Sequence, residues 1–101
     1  MDQKGFQSHI NGNKPVLVDF FANHSQLSTR MNEVLRELKD TVGDTAIILK
    51  LDIDKHECYA DQFNIHSIPT LIIFKNGRVW WRKNGCSSLS EMMRQLAVLV
   101  T

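Results

Sequence analysis

The sequence is poor in cysteine, with Cys58 and Cys86 as its two thiols. Two cysteines so far apart exclude a disulfide framework and a zinc site built from paired cysteines. The histidines His9, His56 and His66 share no spacing typical of a metal site. The chain is therefore expected to carry unmodified thiols in a reducing compartment, and to need no metal and no cofactor.

The sequence also lacks an excess of charge and any long apolar run. Lys and Arg number 12 against 11 Asp and Glu, a net charge of +1, so no long-range field attracts a polyanion. The first residues, MDQKGFQSHINGNK, contain no apolar segment of signal-peptide length, and no apolar run is long enough to cross a bilayer. These absences predict a soluble cytoplasmic protein that binds neither nucleic acid nor a membrane.

Length and apolar content predict one domain over residues 1–101. A hydrophobic fraction of 43% in 101 residues is enough for a single core. Val16 to Ala22 is apolar on both alternating faces except at Asp19, as in a strand buried on both sides of a mostly parallel sheet. Further strands are predicted at Ala46 to Ile53 and at Thr70 to Phe74.

Apolar residues at helical spacing occur before, between and after these strands. Phe6 and Ile10 predict a short first helix, and a second helix starts from Ser28 and is closed by Gly43. Two capping boxes, which pair a helix-starting side chain with one three residues later, predict where the other helices begin. They are Asp54 with Glu57 and Ser88 with Glu91. The last helix carries an apolar stripe of Leu89, Met92, Met93, Leu96 and Val100.

The dipeptide Asn76-Gly77 is a strong signal for a two-residue hairpin that leads into Val79, Trp80 and Trp81. The last two strands are therefore expected to be antiparallel neighbours. Trp80 and Trp81 should point to opposite faces of the sheet, because side chains alternate along a strand. The order α-β-α-β-α-β-β-α predicts an α/β fold with a mixed sheet between helices.

Several separated motifs resemble the thioredoxin family in order and spacing over nearly the whole chain. They are KPVLVDFFA, LKLDID, FNIHSIPTLIIFKNGRV and the Asn84-Gly85 pair before the C-terminal amphipathic helix. The resemblance implies a thioredoxin-like three-layer sandwich, in which helices flank a mixed central sheet. The family's N-terminal first strand is expected to be short or absent, since few residues precede Phe6.

The resemblance fails at the family's reactive site. Where the family has Trp-Cys-x-x-Cys, this chain has His24, Ser25, Gln26, Leu27 and Ser28. Thiol-disulfide exchange requires a thiolate to attack sulfur and a second thiol to resolve the mixed disulfide. A serine hydroxyl is a far weaker acid, and two serine oxygens form no stable analogue of a disulfide. Dithiol oxidoreductase activity is therefore not expected at this position.

The two serines have a structural interpretation, because serine is a favoured N-cap that satisfies backbone donors at a helix start. A hydrolytic role for Ser25 with His24 as its base is disfavoured. Adjacent side chains diverge, no oxyanion-hole motif precedes them, and no orienting carboxylate is evident. His24 is expected to lie on the surface.

Asp19 is unusual, because a carboxylate inside VLVDFF loses solvation unless it is paired or protonated, so burial should raise its pKa. The resemblance implies that Asp19 lies beneath the position of the second cysteine and aids proton transfer, with Lys50 close by. One interpretation is a proton relay that has lost its thiol. The other is a polar pair, kept because removal of either partner would strand the other.

Pro69 is a second position for which the resemblance implies a special geometry. The family has a cis bond at this proline, beside the start of the active-site helix. The backbone of the preceding residue, here Ile68, would pair with an extended peptide. The rival interpretation is that Pro69 only ends a loop. His24, Ile68, Pro69, Gly85 and Cys86 are the predicted peptide-binding residues.

The resemblance also implies that the strands before Cys58 and Cys86 lie three places apart, or ~14 Å. A disulfide between these cysteines is therefore not expected, because a disulfide tolerates Cα separations of only about 7 Å and pairing would require a large movement. Cys86 is interpreted either as a small loop residue or as a thiol open to a mixed disulfide or to oxidation. Cys58 is expected to fill space in the first turn of its helix.

These observations predict a thioredoxin-like protein without a redox-active dithiol, which binds an extended peptide or a protein partner. The alternative is a thioredoxin-type protein disulfide oxidoreductase of cell redox homeostasis. Its cysteines would be substituted by serine in this chain, or Cys86 would act as a lone thiol. The sequence leaves the oligomeric state and the partner open.

Overall fold

The computed structural model describes residues 3–99, which form four α-helices and four strands. A 3-10 turn, Gly43–Thr45, lies between the second helix and the second strand. The elements in chain order are α1 (Gln3–Ile10), β1 (Val16–Phe21), α2 (Gln26–Val42), β2 (Ile47–Asp52), α3 (Glu57–Gln62), β3 (Thr70–Lys75), β4 (Arg78–Asn84) and α4 (Leu89–Leu99).

The strands form one mixed sheet in the order β2-β1-β3-β4. β1 and β2 are parallel, whereas β3 is antiparallel to both β1 and β4. The β3–β4 turn uses Asn76 and Gly77, whose φ angles of 52° and 79° are those that a two-residue hairpin turn requires. No strand precedes β1 in the described residues, in line with the expected short or absent first strand.

Two cores lie on opposite faces of the sheet because β1 alternates its side chains. Val18 and Phe20 pack with Phe6 of α1 and Tyr59 of α3. On the other face, Leu17 belongs to a cluster with α2 and α4 residues, which include Met31, Leu35, Leu38, Met92 and Leu96. The predicted arrangement of a mixed sheet between helices is confirmed. No described helix is long and apolar enough to cross a membrane.

The predicted capping boxes have different outcomes. Ser88 Oγ accepts a hydrogen bond from the Glu91 backbone N–H at 3.2 Å, as expected at the start of α4. The Asp54–Glu57 box is wrong, because α3 begins after His56 and has no side-chain cap. The preceding turn is instead organised by Asp52, whose carboxylate accepts the Asp54 N–H at 2.9 Å. The backbone carbonyl of Asp52 also accepts the N–H groups of Lys55 and His56.

Other side chains also test the sequence predictions. Trp80 is half exposed, whereas Trp81 packs against the α2–α4 core, so the two rings face opposite ways as expected. Cys58 is exposed, so the prediction that it fills space is wrong. Tyr59, the next residue of α3, is the one that turns inward. Val100, the last member of the predicted stripe, lies outside the described residues.

Candidate functional site

The predicted site residues lie in loops at one end of the sheet. The register pairs Phe20 with Thr70, and Thr70 with Asn84. The segment after β1, the loop before β3 and the segment after β4 therefore share one end of the sheet. The loop after β2 joins them, because β2 runs parallel to β1. In α/β sheets, ligands bind outside the carboxyl ends of parallel strands, and this end is one such place.

Ser25 is the N-cap of α2. Its backbone is extended, with φ −96° and ψ 123°, and its Oγ accepts the Ser28 N–H at 3.3 Å. Its carbonyl accepts the Thr29 N–H at 3.2 Å, which starts the helical hydrogen-bond pattern. The N-cap interpretation of Ser25 is therefore confirmed.

Ser28 is only 3% exposed and lies one turn into α2. Its Oγ accepts the Ala22 backbone N–H at 3.3 Å, so it joins the helix to the end of β1. Both serine oxygens therefore hold backbone donors. This contact between Ser28 and Ala22 depends on tertiary structure, and no local sequence signal identified it.

His24 lies on the surface as predicted, with 76% of its side chain exposed. The sequence missed a carboxylate beside it, because Asp54 Oδ2 lies 3.5 Å from its Nδ1. A carboxylate that was not evident from the sequence therefore lies beside His24. The pair is solvent-exposed, and no hydrogen bond between His24 and Ser25 occurs in the described structure. Ser25 Oγ is instead committed to the helix cap, which gives no geometry for a hydrolytic nucleophile.

A second polar contact joins the loops that follow β1 and β2. Asn23 Nδ2 donates to Asp52 Oδ2 at 3.2 Å, and the other oxygen of Asp52 accepts the Asp54 N–H. One carboxylate therefore organises both loops. The two residues are 29 positions apart, so their contact could not be read from sequence spacing.

Asp19 is fully buried on the sheet face that α2 covers, two residues from Leu17. Neither of its carboxylate oxygens has a hydrogen-bond partner among the described residues. Burial raises the pKa of Asp19 from 3.8 to about 6, and the positive charge of Lys50 opposes that rise. Asp19 therefore exchanges its proton closer to neutral pH than an exposed aspartate does.

Lys50 is the register partner of Asp19 in β2, but the two side chains form no direct ion pair. Its Nζ donates to Asn32 Oδ1 on α2 and lies 4.7 Å from the centre of the Phe21 ring. The interpretation of Asp19 and Lys50 as a directly bonded polar pair is therefore wrong. Lys50 influences Asp19 through space, and its own hydrogen bond goes to α2.

The peptide bond between Ile68 and Pro69 is cis, as the resemblance implied. The Pro69 carbonyl accepts the Gly85 N–H at 2.7 Å, and Thr70 Oγ1 donates to the Ser67 carbonyl at 2.6 Å. These two bonds fix the loop before β3. Ile68 is half-buried, and no described group hydrogen-bonds its backbone N–H or C=O.

Cys86 connects this loop to the start of α2. Gly85 has φ 111°, a conformation that favours glycine, and it precedes the turn into Cys86. The thiol Sγ lies 3.5 Å from the Leu27 carbonyl, in the geometry of a weak S–H donor. The Leu27 side chain is 46% exposed. The structure thus brings together five of the residues above, Ser25, Leu27, Ile68, Pro69 and Cys86, which we call the serine–proline site.

No group of three or more metal-ligating side chains occurs in residues 3–99. The Asn23–Asp52 and His24–Asp54 contacts described above are explained by loop organisation.

The thioredoxin family model matches residues 1–98. A thioredoxin of Alicyclobacillus acidocaldarius subsp. acidocaldarius is 40% identical over 92 residues, which are 91% of this chain and 88% of that protein. The chloroplastic thioredoxin Y2 of Arabidopsis thaliana is 33% identical over 86 residues, 85% of this chain. That match spans 52% of the plant protein, so the chain covers about half of its length.

A solved structure titled as that of a malarial protein superposes with a TM-score of 0.81. It is 28% identical in sequence, and the superposition covers 88% of this chain and all of the other.

Proposed function

The chain belongs to the thioredoxin family, and we propose that within this family it is a binding module without a redox-active dithiol. Its ligand is an extended segment of a peptide or of a partner protein. The observation that carries this proposal is the half-buried Ile68, whose backbone has no hydrogen-bond partner among the described residues. Its loop is fixed by the Gly85–Pro69 hydrogen bond, and Cys86, next to Gly85, contacts the carbonyl of the exposed Leu27.

The absence of dithiol chemistry follows from the atoms present. Ser25 and Ser28 place hydroxyl oxygens where exchange would need sulfur, and both oxygens accept backbone N–H bonds. A hydroxyl cannot be oxidised to a disulfide, and its pKa leaves no nucleophilic anion near neutral pH. The proposed role therefore uses the shape and hydrogen-bonding capacity of the serine–proline site.

Peptide capture requires only groups that this site holds. An extended peptide adds to a free backbone edge by exchanging N–H and C=O bonds, and adjacent apolar contacts select its side chains. Ile68 supplies one donor and one acceptor, and Leu27 supplies the apolar contact. The Gly85–Pro69 hydrogen bond holds the loop in place, which lowers the entropy lost on binding.

Titration of the 15N-labelled chain with insulin B chain whose cysteines are carbamidomethylated tests this proposal. The blocked peptide has no thiol, so any binding is independent of sulfur. We expect saturable amide shifts at Ile68 and Leu27. Leu27→Gln should weaken binding by about tenfold, because it removes a large apolar contact. The matched control Val98→Gln, on the exposed face of α4, should leave binding unchanged.

If the shifts avoid Ile68, or if Leu27→Gln and Val98→Gln weaken binding equally, the proposed binding surface is wrong. Both substitutions place a good helix former in a helix. The urea-unfolding midpoints of the two variants therefore provide a check that each is folded.

A second candidate function is favoured by Asp19. A buried carboxylate without a partner is costly, and in the thioredoxin family the matching residue serves the dithiol. The candidate is a protein disulfide oxidoreductase of cell redox homeostasis whose cysteines are replaced in this chain. The codons for residues 25 and 28 in the source gene decide between the two candidates. Serine codons favour the binding module, and cysteine codons favour the oxidoreductase.

A cytoplasmic location is also part of the proposal. Fractionation of the source cells with an antibody to the chain tests this location. We expect the chain in the soluble cytoplasmic fraction, and recovery in an organelle or on a membrane would contradict it.

A further inference from the structure

Among the described residues, the strand β2 forms an open edge of the sheet. On its inner side, the Ile47 N–H donates to the Pro15 carbonyl at 2.9 Å and the Ile53 N–H donates to the Phe21 carbonyl at 3.0 Å. Alternate residues of a strand direct their N–H and C=O to the same side, so odd-numbered residues from 47 to 53 face β1. The backbone groups of Ile48 and Lys50 therefore face the open side, where no described strand lies.

A groove of about 430 Å³ lies beside this edge, between β2 and α2. Its apolar part is formed by Leu35 and Ile48, and its other lining residues are Asn32, Arg36, Lys39 and Lys50. The three cations are exposed, and the described lining residues include no carboxylate. The groove therefore favours a ligand with negative charge.

We propose that the β2 edge binds an extended acidic segment of a partner protein as an added strand. Backbone bonds form to Ile48 and Lys50, and alternate acidic side chains face the cations of the groove. The intervening apolar side chains face the opposite side of the sheet, where Ile47 and Leu49 are half-buried against the other core. Cross-strand contacts of this kind stabilise an added strand.

The same charges argue against a second copy of this chain at the β2 edge. Two copies paired antiparallel through β2 would be related by a two-fold axis perpendicular to the sheet. Both α2 helices would then lie on the same face. Arg36, Lys39 and Lys50 of each copy would approach their counterparts, and like charges across an interface are unfavourable.

The test uses a short acetylated and amidated peptide in which valine and glutamate alternate, with the full 15N-labelled chain. We expect saturable shifts of the Ile48 and Lys50 amides and slower hydrogen exchange at both. A control peptide with lysine in place of glutamate should bind about tenfold more weakly, because it brings like charges together.

Variants on one helix separate charge recognition from folding. Arg36→Glu should weaken binding of the glutamate peptide by roughly threefold to tenfold. Arg30→Glu, exposed on the same helix but outside the groove, should not change it. Equal binding of the two peptides, equal effects of the two variants, or the absence of shifts at Ile48 and Lys50 would overturn the proposal.

Two further outcomes identify other ligands. Slow exchange of the Ile48 and Lys50 amides that depends on protein concentration, without peptide, would assign the edge to a second copy and overturn the proposal. Shifts confined to Ile68 and Leu27 would place the peptide at the serine–proline site, and would also overturn it. The two sites are thus tested by separate amides.

Discussion

Ser28 of α2 and Asp19, on the face of β1 that α2 covers, are both buried, and they differ in how their oxygens are satisfied. Ser28 Oγ accepts the Ala22 N–H, whereas the Asp19 carboxylate has no hydrogen-bond partner among the described residues. A hydrogen bond within the fold therefore explains why the Ser28 hydroxyl is buried. No such bond explains the burial of the Asp19 carboxylate. The contrast teaches that one face of the sheet can carry a buried polar residue that the fold satisfies and another whose burial requires a different explanation.

The largest effect should come from placing cysteine thiols at positions 25 and 28. We expect the double variant Ser25→Cys, Ser28→Cys to reduce insulin with a dithiol reductant, because thiols would stand at the start of α2. Adding Asp19→Asn should then lower that rate by roughly a hundredfold, the lower end of the range typical of lost proton transfer. If the double variant stays at background, the site lacks more than sulfur.

The next effect concerns the stability cost of Asp19. Its pKa is about 6 in the folded chain against 3.8 for the ordinary group, which corresponds to about 3 kcal/mol. Because the folded state holds the proton more tightly, this contribution to stability is present below pH 4 and is lost as the pH rises through 6. We expect Asp19→Asn to be more stable than the parent chain at pH 8 by about 2–3 kcal/mol.

Urea unfolding of both chains at pH 4 and pH 8 measures this difference. The gain should largely disappear at pH 4, where Asp19 is protonated in the folded chain. The other carboxylates are common to both chains, so their contributions cancel. A gain that is the same at both pH values would show that folding does not raise the pKa of Asp19.

A smaller effect separates the two serines. Ser28→Ala should destabilise the chain by about 1–2 kcal/mol, because the Ala22 N–H loses its acceptor at a buried position. Ser25→Ala should cost about 1 kcal/mol, since it removes an N-cap. Thermal unfolding of both variants, with Ser8→Ala at an exposed position of α1 as a control, gives the ranking. Equal melting temperatures for all three would contradict the structural roles of these hydroxyls.

The same comparison shows which features could be predicted from sequence. The hairpin at Asn76-Gly77 and the helix end at Gly43 follow from local backbone preferences, so residue type alone indicated them. The burial of Asp19 followed from its apolar neighbours in a single strand. The cis bond before Pro69 was expected only through the family resemblance, because proline by itself permits either isomer.

The features that sequence missed depend on contacts between distant residues. Lys50 donates to Asn32, 18 positions away, instead of pairing with Asp19 in the neighbouring strand. The Ser28–Ala22 bond and the Asn23–Asp52 bond likewise depend on how α2 and β2 are placed. Exposure of Cys58 was missed because the orientation of α3 is set by Tyr59 and its packing.

The most direct test of the central claim is insulin reduction by the unmodified chain with a dithiol reductant. Ser25 and Ser28 supply no thiol, so we expect no turnover above that of a Cys86→Ser variant. Turnover that survives in Cys86→Ser at a rate well above reductant alone would contradict the account, because it would require electron transfer through a site that holds only hydroxyls. Turnover abolished by Cys86→Ser would also contradict it, and would assign the chemistry to the lone thiol.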